Sequence, residues 1–248
     1  QRLNVGQYVL FTGTACQVVA LKQYLSGINT DKLYTVDVLC HGVTSRKVVH
    51  SYIEDLEKTY GDTAIEIQFR NKEKGGGGVI MKVEFKNKSP YIAQSRDDAF
   101  MNAFNNNLSL RMSCYNCHYS GKDRVSDITI ADFWGMDDPD IVREAQGKGI
   151  SAVFVNTGKG VELFEKIRKD CIVYERSYDE AARNNHVLTA PMPYNPKRKY
   201  FFEKLGKVTF QKLVLRSTRT VRIKKSINLF FNRCLRKLYK IKRGALHE

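Results

Sequence analysis

Gln7-Tyr-Val-Leu-Phe-Thr-Gly13, continued by Thr14-Ala15-Cys16, reads as a buried strand that turns sharply into a helix. Val18, Val19, Leu21 and Leu25 give the segment from Ala15 to Leu25 a helical apolar pattern. Leu33 to Cys40 is a second strand, closed by Cys40-His41-Gly42. Ser45 stands as the N-cap of a helix from Arg46 to Tyr60, and Gly61 ends it. Strand, helix, strand, helix in this order predicts parallel pairing with a crossover connection. The turn at Gly13-Thr14 leaves backbone N–H groups facing an anion or a metal cluster.

The pattern then changes. Ile65 to Phe69 and Val79 to Phe85 alternate in hydrophobicity and flank Asn71-Lys-Glu-Lys-Gly-Gly-Gly-Gly78, which predicts an antiparallel hairpin. Asp97 to Leu108 is a short helix leading to the loop Cys114-Tyr-Asn-Cys117. Asp127 to Phe133 is a strand followed by Trp134-Gly135. Ile150 to Thr157 is another strand, Lys159 to Asp170 a helix, and Cys171 to Tyr174 a last strand. Pro191, Pro193 and Pro196 mark a boundary. The expected architecture is α/β: a mixed, largely parallel sheet with flanking helices, an inserted β-hairpin and a basic C-terminal helical tail. The expected domains are residues 1–190 and 191–248. The chain starts at Gln1, so a native N-terminus is expected upstream.

With 248 residues and 42% apolar content, the chain builds a core of ordinary size. No run approaches the roughly 20 apolar residues of a membrane span. Six cysteines in a chain this long are not a secreted disulfide scaffold, and a reducing cytoplasm fits them better. The net charge of +15 is segregated: residues 204–243 carry fourteen Lys/Arg and no Asp/Glu, while the first 203 residues carry 27 basic against 25 acidic. In that tail Ile223, Ile227, Phe230, Cys234, Leu238 and Ile241 recur at helical spacing. A basic amphipathic helix reads as a binder of an anionic membrane surface, peripheral to its inner face. The plainer reading packs it on the domain with a solvated basic side. No nucleic-acid-binding module is recognisable.

Cys114 and Cys117, two residues apart, bring two sulfurs within reach of one metal. Cys16 and Cys40 each follow a strand, at the sheet edge where open α/β folds place their sites. Taken alone, each reads equally as a ligand or as a core residue. Cys171 and Cys234 read as non-ligands. Four thiolates satisfy zinc or an iron–sulfur cluster, and His41 or His118 is an alternative ligand. A zinc-stabilised, non-catalytic interaction domain is therefore the rival to a redox protein.

Six blocks occur in order: Phe11-Thr-Gly-Thr-Ala-Cys-Gln17, Asp37-Val-Leu-Cys-His-Gly42 with Ser45, Phe69-Arg-Asn-Lys72, Arg111-Met-Ser-Cys-Tyr-Asn-Cys117, Ser126-Asp-Ile-Thr-Ile-Ala-Asp-Phe-Trp-Gly135, and Lys148-Gly-Ile-Ser151 to Thr157. Together they resemble the C-terminal domain of the coenzyme F420 hydrogenase/dehydrogenase beta-subunit family over about residues 7 to 170. The resemblance implies an oxidoreductase with a 4Fe–4S cluster on Cys16, Cys40, Cys114 and Cys117, FAD nearby, and a redox partner protein or subunit. Ala15 departs from the Pro found in many relatives, and the closely spaced cysteines of a ferredoxin-like segment are absent from this sequence. Neither deazaflavin nor any other substrate is identified.

The flavin contacts expected on this resemblance are Gly13, Thr14, Asp132, Gly149, Ser151 and Thr157, with the last three on one edge. Asp127 and Asp132 fall on opposite faces of a regular strand, so one is structural, and Asp132 is the one expected to face the site. Trp134 reads first as core and second as a flavin neighbour. His41 and His118 are candidate proton relays or turn caps. Arg111 and Lys122 are candidate counter-charges to a cluster, with solvated loop charge the equal alternative. No catalytic residue is assigned.

Overall fold

Period-two burial along Leu33, Thr35 and Asp37 makes the second strand an inner one, with those three side chains turned inward. The structure, a computed structural model, describes residues 1–71 and 80–219. They fall into two compact units, one of residues 1–43 and 110–193, the other of residues 44–71, 80–109 and 194–219.

In the first unit β1 (Val9–Thr14) passes through α1 (Ala15–Tyr24) to β2 (Leu33–Val38). The strands pair in parallel, from Val9 opposite Leu33 to Thr14 opposite Val38. The chain then leaves for the second unit. There it forms α2 (Arg46–Tyr60), β3 (Ala64–Asn71), β4 (Ile80–Phe85), β5 (Tyr91–Gln94) and α3 (Ala99–Asn105). It returns as β6 (Ile128–Asp132), which pairs in parallel with β2. After α4 (Pro139–Glu144), β7 (Ser151–Val155) runs antiparallel to β6, so the strand order is β1-β2-β6-β7. Then come α5 (Gly158–Arg168) and α6 (Tyr178–Ala182). The mixed, largely parallel sheet is as expected, and the path from β2 to β6 carries most of the second unit.

β1 is less buried than its apolar run suggested. It is an edge strand, and Leu10 on it is 58% exposed. One side of the sheet packs Ala131 and Ala152 against Ala181 and Leu188. The other presents Leu10, Val38, Ile130, Val153 and Val155 as exposed side chains. The expected strand at Cys171 to Tyr174 does not form. Those residues are irregular, Ile172 and Tyr174 are exposed, and the Tyr174 hydroxyl bonds Glu144 instead of a sheet neighbour.

In the second unit the expected hairpin is β3 with β4, antiparallel, and β5 adds a third strand that the sequence reading missed. Gly61 ends α2 in the left-handed region at φ 63°, a conformation glycine adopts without strain. Ser45 stands at the N-cap without a side-chain cap bond. The core joins Val48 and Tyr52 of α2 to Met81, Val83 and Phe85 of β4 and to Phe100 of α3. Phe201 of α7 (Arg198–Lys204) completes it, with Phe210, Leu213 and Val214 from the helical stretch 210–219. The start of the basic tail therefore packs with the domain. The expected amphipathic helix over Ile223 to Ile241, with Cys234, lies outside the described residues, as does the Gly75 to Gly78 connection.

Candidate metal centre

The three parallel strands end at one edge, and Cys16 and Cys40 lie there. Cys16 lies in the first turn of α1, just past β1, and Cys40 lies two residues past β2. Cys114 is within a short 3-10 turn, Met112–Asn116, and Cys117 follows it. That turn is tied to the loop after Cys40 by the Arg111 N–H donating to the Val43 carbonyl at 2.9 Å.

Cys40 is a half-buried thiol acted on by the other three. Burial pushes its thiol up first, the Gly42 N–H partly offsets this, and the charges of Cys114, Cys16 and Cys117 each raise it further. The other three thiols thus each act electrostatically on Cys40. Two sulfurs already accept backbone N–H groups: Cys40 from Gly42, and Cys114 from Val43 at 3.4 Å. The Thr14 hydroxyl bonds the Cys16 sulfur at 3.1 Å. Among the described residues no group of three or more His, Cys, Asp or Glu side chains already stands in a metal-holding arrangement. As a donor set, four sulfurs, two of them already accepting N–H groups, fit a thiolate-ligated cluster. Gly42 makes the approach possible. Its φ is 145°, and a Cβ there would stand 3.0 Å from Leu110 Cδ1 and 3.4 Å from Cys114 Cβ.

Of the flavin candidates, Gly13, Thr14, Asp132, Gly149 and Ser151 lie at this same edge, because β7 runs antiparallel and begins where β6 ends. Asp132 and Ser151 are register partners there, and both are exposed. Thr14 is committed locally, since its N–H and its hydroxyl both donate to Gln17 Oε1, at 2.9 and 3.1 Å. Thr157 lies at the opposite end of β7, which corrects the expectation that it shares an edge with Gly149 and Ser151. It caps α5 and donates to Asp127 Oδ1 at 2.6 Å. Cavities of about 420 and 210 Å³ lie in the second unit, lined by residues such as Glu54 and Asp62 in one and Arg96 and Gln211 in the other.

Asp127 is the structural member of the aspartate pair. It is buried, and its carboxylate accepts from the Thr35 N–H and hydroxyl and from Thr157. Burial pushes its carboxyl up, but those hydrogen bonds outweigh it and hold the group below the usual range. Trp134 is 53% exposed, so the core reading of it is wrong. His118 and Arg111 are exposed, and Lys122 lies 5.4 Å over the Tyr178 ring.

Sequence reasoning missed Arg124. Its side chain is 3% exposed, and its Nη2 donates to both carboxylate oxygens of the fully buried Asp37, at 3.0 and 3.1 Å. The signal was Asp37 itself, a charge on the inward period of an inner strand, which demands a buried partner.

The fold is α/β, built on a mixed, largely parallel sheet, and sequence comparison gives its family. The model for the C terminus of the coenzyme F420 hydrogenase/dehydrogenase beta subunit matches residues 6–181, and the chain belongs to that family. No curated protein matches the chain. Among solved structures it is similar to a chain of the F420-reducing [NiFe] hydrogenase complex from Methanosarcina barkeri, described as a xenon derivative. The identity is 19% and the TM-score 0.37, over 89% of this chain and 62% of that one. Among the described residues no helix is long and apolar enough to cross a membrane.

Proposed function

We propose that this chain is an oxidoreductase subunit whose Cys16, Cys40, Cys114 and Cys117 hold a 4Fe–4S cluster. The observation that carries the reading is the position of Cys16 and Cys40 just past the ends of the paired parallel strands β1 and β2, with the Val43 N–H, three residues after Cys40, donating to the Cys114 sulfur at 3.4 Å. When bound, such a cluster supplies one-electron transfer. The chain's own part is to hold the sulfurs at the strand ends, to direct the Gly42 and Val43 N–H groups at two of them, and to keep Cys40 partly out of water. N–H donation of this kind stabilises a sulfur's negative charge and raises a cluster's potential.

FAD is the second cofactor of this reading. Gly13, Thr14, Asp132, Gly149 and Ser151 are the residues this chain would bring to it. A redox partner protein or subunit exchanges the electrons. The location is the cytoplasm, with the basic tail against an anionic inner membrane surface. Anaerobic reconstitution of the full chain with iron and sulfide tests the metal assignment. Broad visible absorbance with stoichiometric iron and sulfide supports it; a colourless protein that takes only zinc contradicts it.

A further inference from the structure

The segment after Cys117 is held by bonds to β2, which leads to Cys40, and to α1, which carries Cys16. The Ser120 hydroxyl donates to the Cys117 carbonyl at 2.9 Å. Arg124 Nη1 donates to the Tyr119 carbonyl at 2.7 Å, its Nε to Thr129 Oγ1 at 3.2 Å, and its Nη2 to both Asp37 oxygens. Asp37 and Thr129 are register partners on β2 and β6, so one guanidinium grips two strands and the loop together. Asp37 lies three residues before Cys40. From α1, six residues past Cys16, Lys22 Nζ donates to the Val125 carbonyl at 2.5 Å.

We propose that Arg124 is the positioning residue of the thiol site: it clamps the Cys117 loop onto β2, and so holds Cys117 in register with Cys40. The inference rests on the reading that the four cysteines form one ligand set. Its warrant is energetic. A buried ion pair is weak evidence for stability, because well-packed apolar residues of similar volume often replace one at no loss. An apolar pair cannot bond the Tyr119 carbonyl and the Thr129 hydroxyl at once. A lysine keeps the charge but loses the planar fork. What only arginine supplies here is the geometry of the loop.

The test uses the full chain, metal-free, titrated anaerobically with Co²⁺ and followed by the thiolate-to-cobalt absorption. Arg124→Lys and the double variant Asp37→Leu/Arg124→Met are compared with wild type, together with thermal melts of the metal-free proteins. Both variants are expected to bind Co²⁺ about 10–100-fold more weakly, the usual cost of losing an outer partner of a metal site. The double variant is expected to melt near wild type. Wild-type affinity in a folded double variant overturns the proposal, and so does an affinity loss that merely tracks a loss of melting temperature.

A second measurement needs no variant to fold. In metal-free wild type the Gly121 amide, which donates to the Val187 carbonyl at 2.8 Å, is expected to be protected from hydrogen exchange. Exchange there at an open-chain rate overturns the clamp. A wild type that keeps this protection yet binds no metal at the thiols overturns the metal reading and leaves the clamp standing.

Discussion

Cys40 carries two predictions. Its thiol is raised by burial first and by the neighbouring thiols after, so in the metal-free chain it should alkylate only above the ordinary cysteine range. Mass-spectrometric labelling against pH reads this directly, and labelling of Cys40 below that range would contradict it. The linkage has a sign. A folded-state pKa above the unfolded one gives stability that is complete at low pH and is lost as pH rises through the raised value. Metal uptake needs the thiolate, so it should strengthen over the same rise. The neighbouring glycine supplies the second prediction. Gly42→Ala forces a Cβ against Leu110 at a positive φ and should cost about 1–3 kcal/mol in a urea melt. It should also lower iron content, since the strained Gly42 backbone carries the N–H that bonds Cys40. At this scale the sequence was readable where a residue's chemistry is local: the four cysteines and Gly42 stand out as letters. Arg124 did not, because nothing near it in sequence marks a partner 87 positions away.

Elements show the same division between local and distant causes. Gly61 ends α2 where expected because its signal lies within one turn. The direction of β7 was not legible, since antiparallel pairing with β6 depends on the long irregular return through α4. Cys171 to Tyr174 has a strand's composition but no neighbour to pair with. Asp98 shows how a cap becomes a core feature. Fully buried, it accepts from the Met101 N–H at 2.7 Å, capping α3, and from the Tyr52 and Tyr91 hydroxyls at 2.7 and 3.0 Å. Burial first, and then this carboxylate, push both tyrosine hydroxyls up. Asp98→Ala should destabilise the second unit by about 3 kcal/mol, from a lost cap and lost bonds to a charged acceptor. Metal content per folded chain should not change. Asp127 has the opposite pH signature to Cys40. Its lowered carboxyl pKa gives stability that is full above the unfolded value and lost as pH falls through the folded one. Asp127→Asn should flatten the acid limb of a melting-temperature profile.

Across the whole molecule, charge and core are divided differently from the expectation of a separate tail. The basic stretch begins at Lys204, yet Phe210, Leu213 and Val214 belong to the second unit's core. A truncation at residue 206 would remove them, at about 3–5 kcal/mol for the phenylalanine alone, and should unfold that unit. A chain ending at residue 219 keeps every described core residue and should melt close to wild type. That shorter cut is the proper test of the basic segment. Loss of salt-sensitive binding to anionic vesicles, with the melt unchanged, would assign that binding to residues beyond 219. Undiminished binding would remove the segment from the account.

The most direct measurement is anaerobic iron and sulfide analysis of the reconstituted full chain beside its Cys16→Ala, Cys40→Ala, Cys114→Ala and Cys117→Ala variants. About four iron and four sulfide per wild-type chain, falling sharply in every variant, is the predicted result. Zinc in place of iron, or iron that survives the loss of Cys16 or Cys40, would contradict a cluster shared by the two strand ends and the loop.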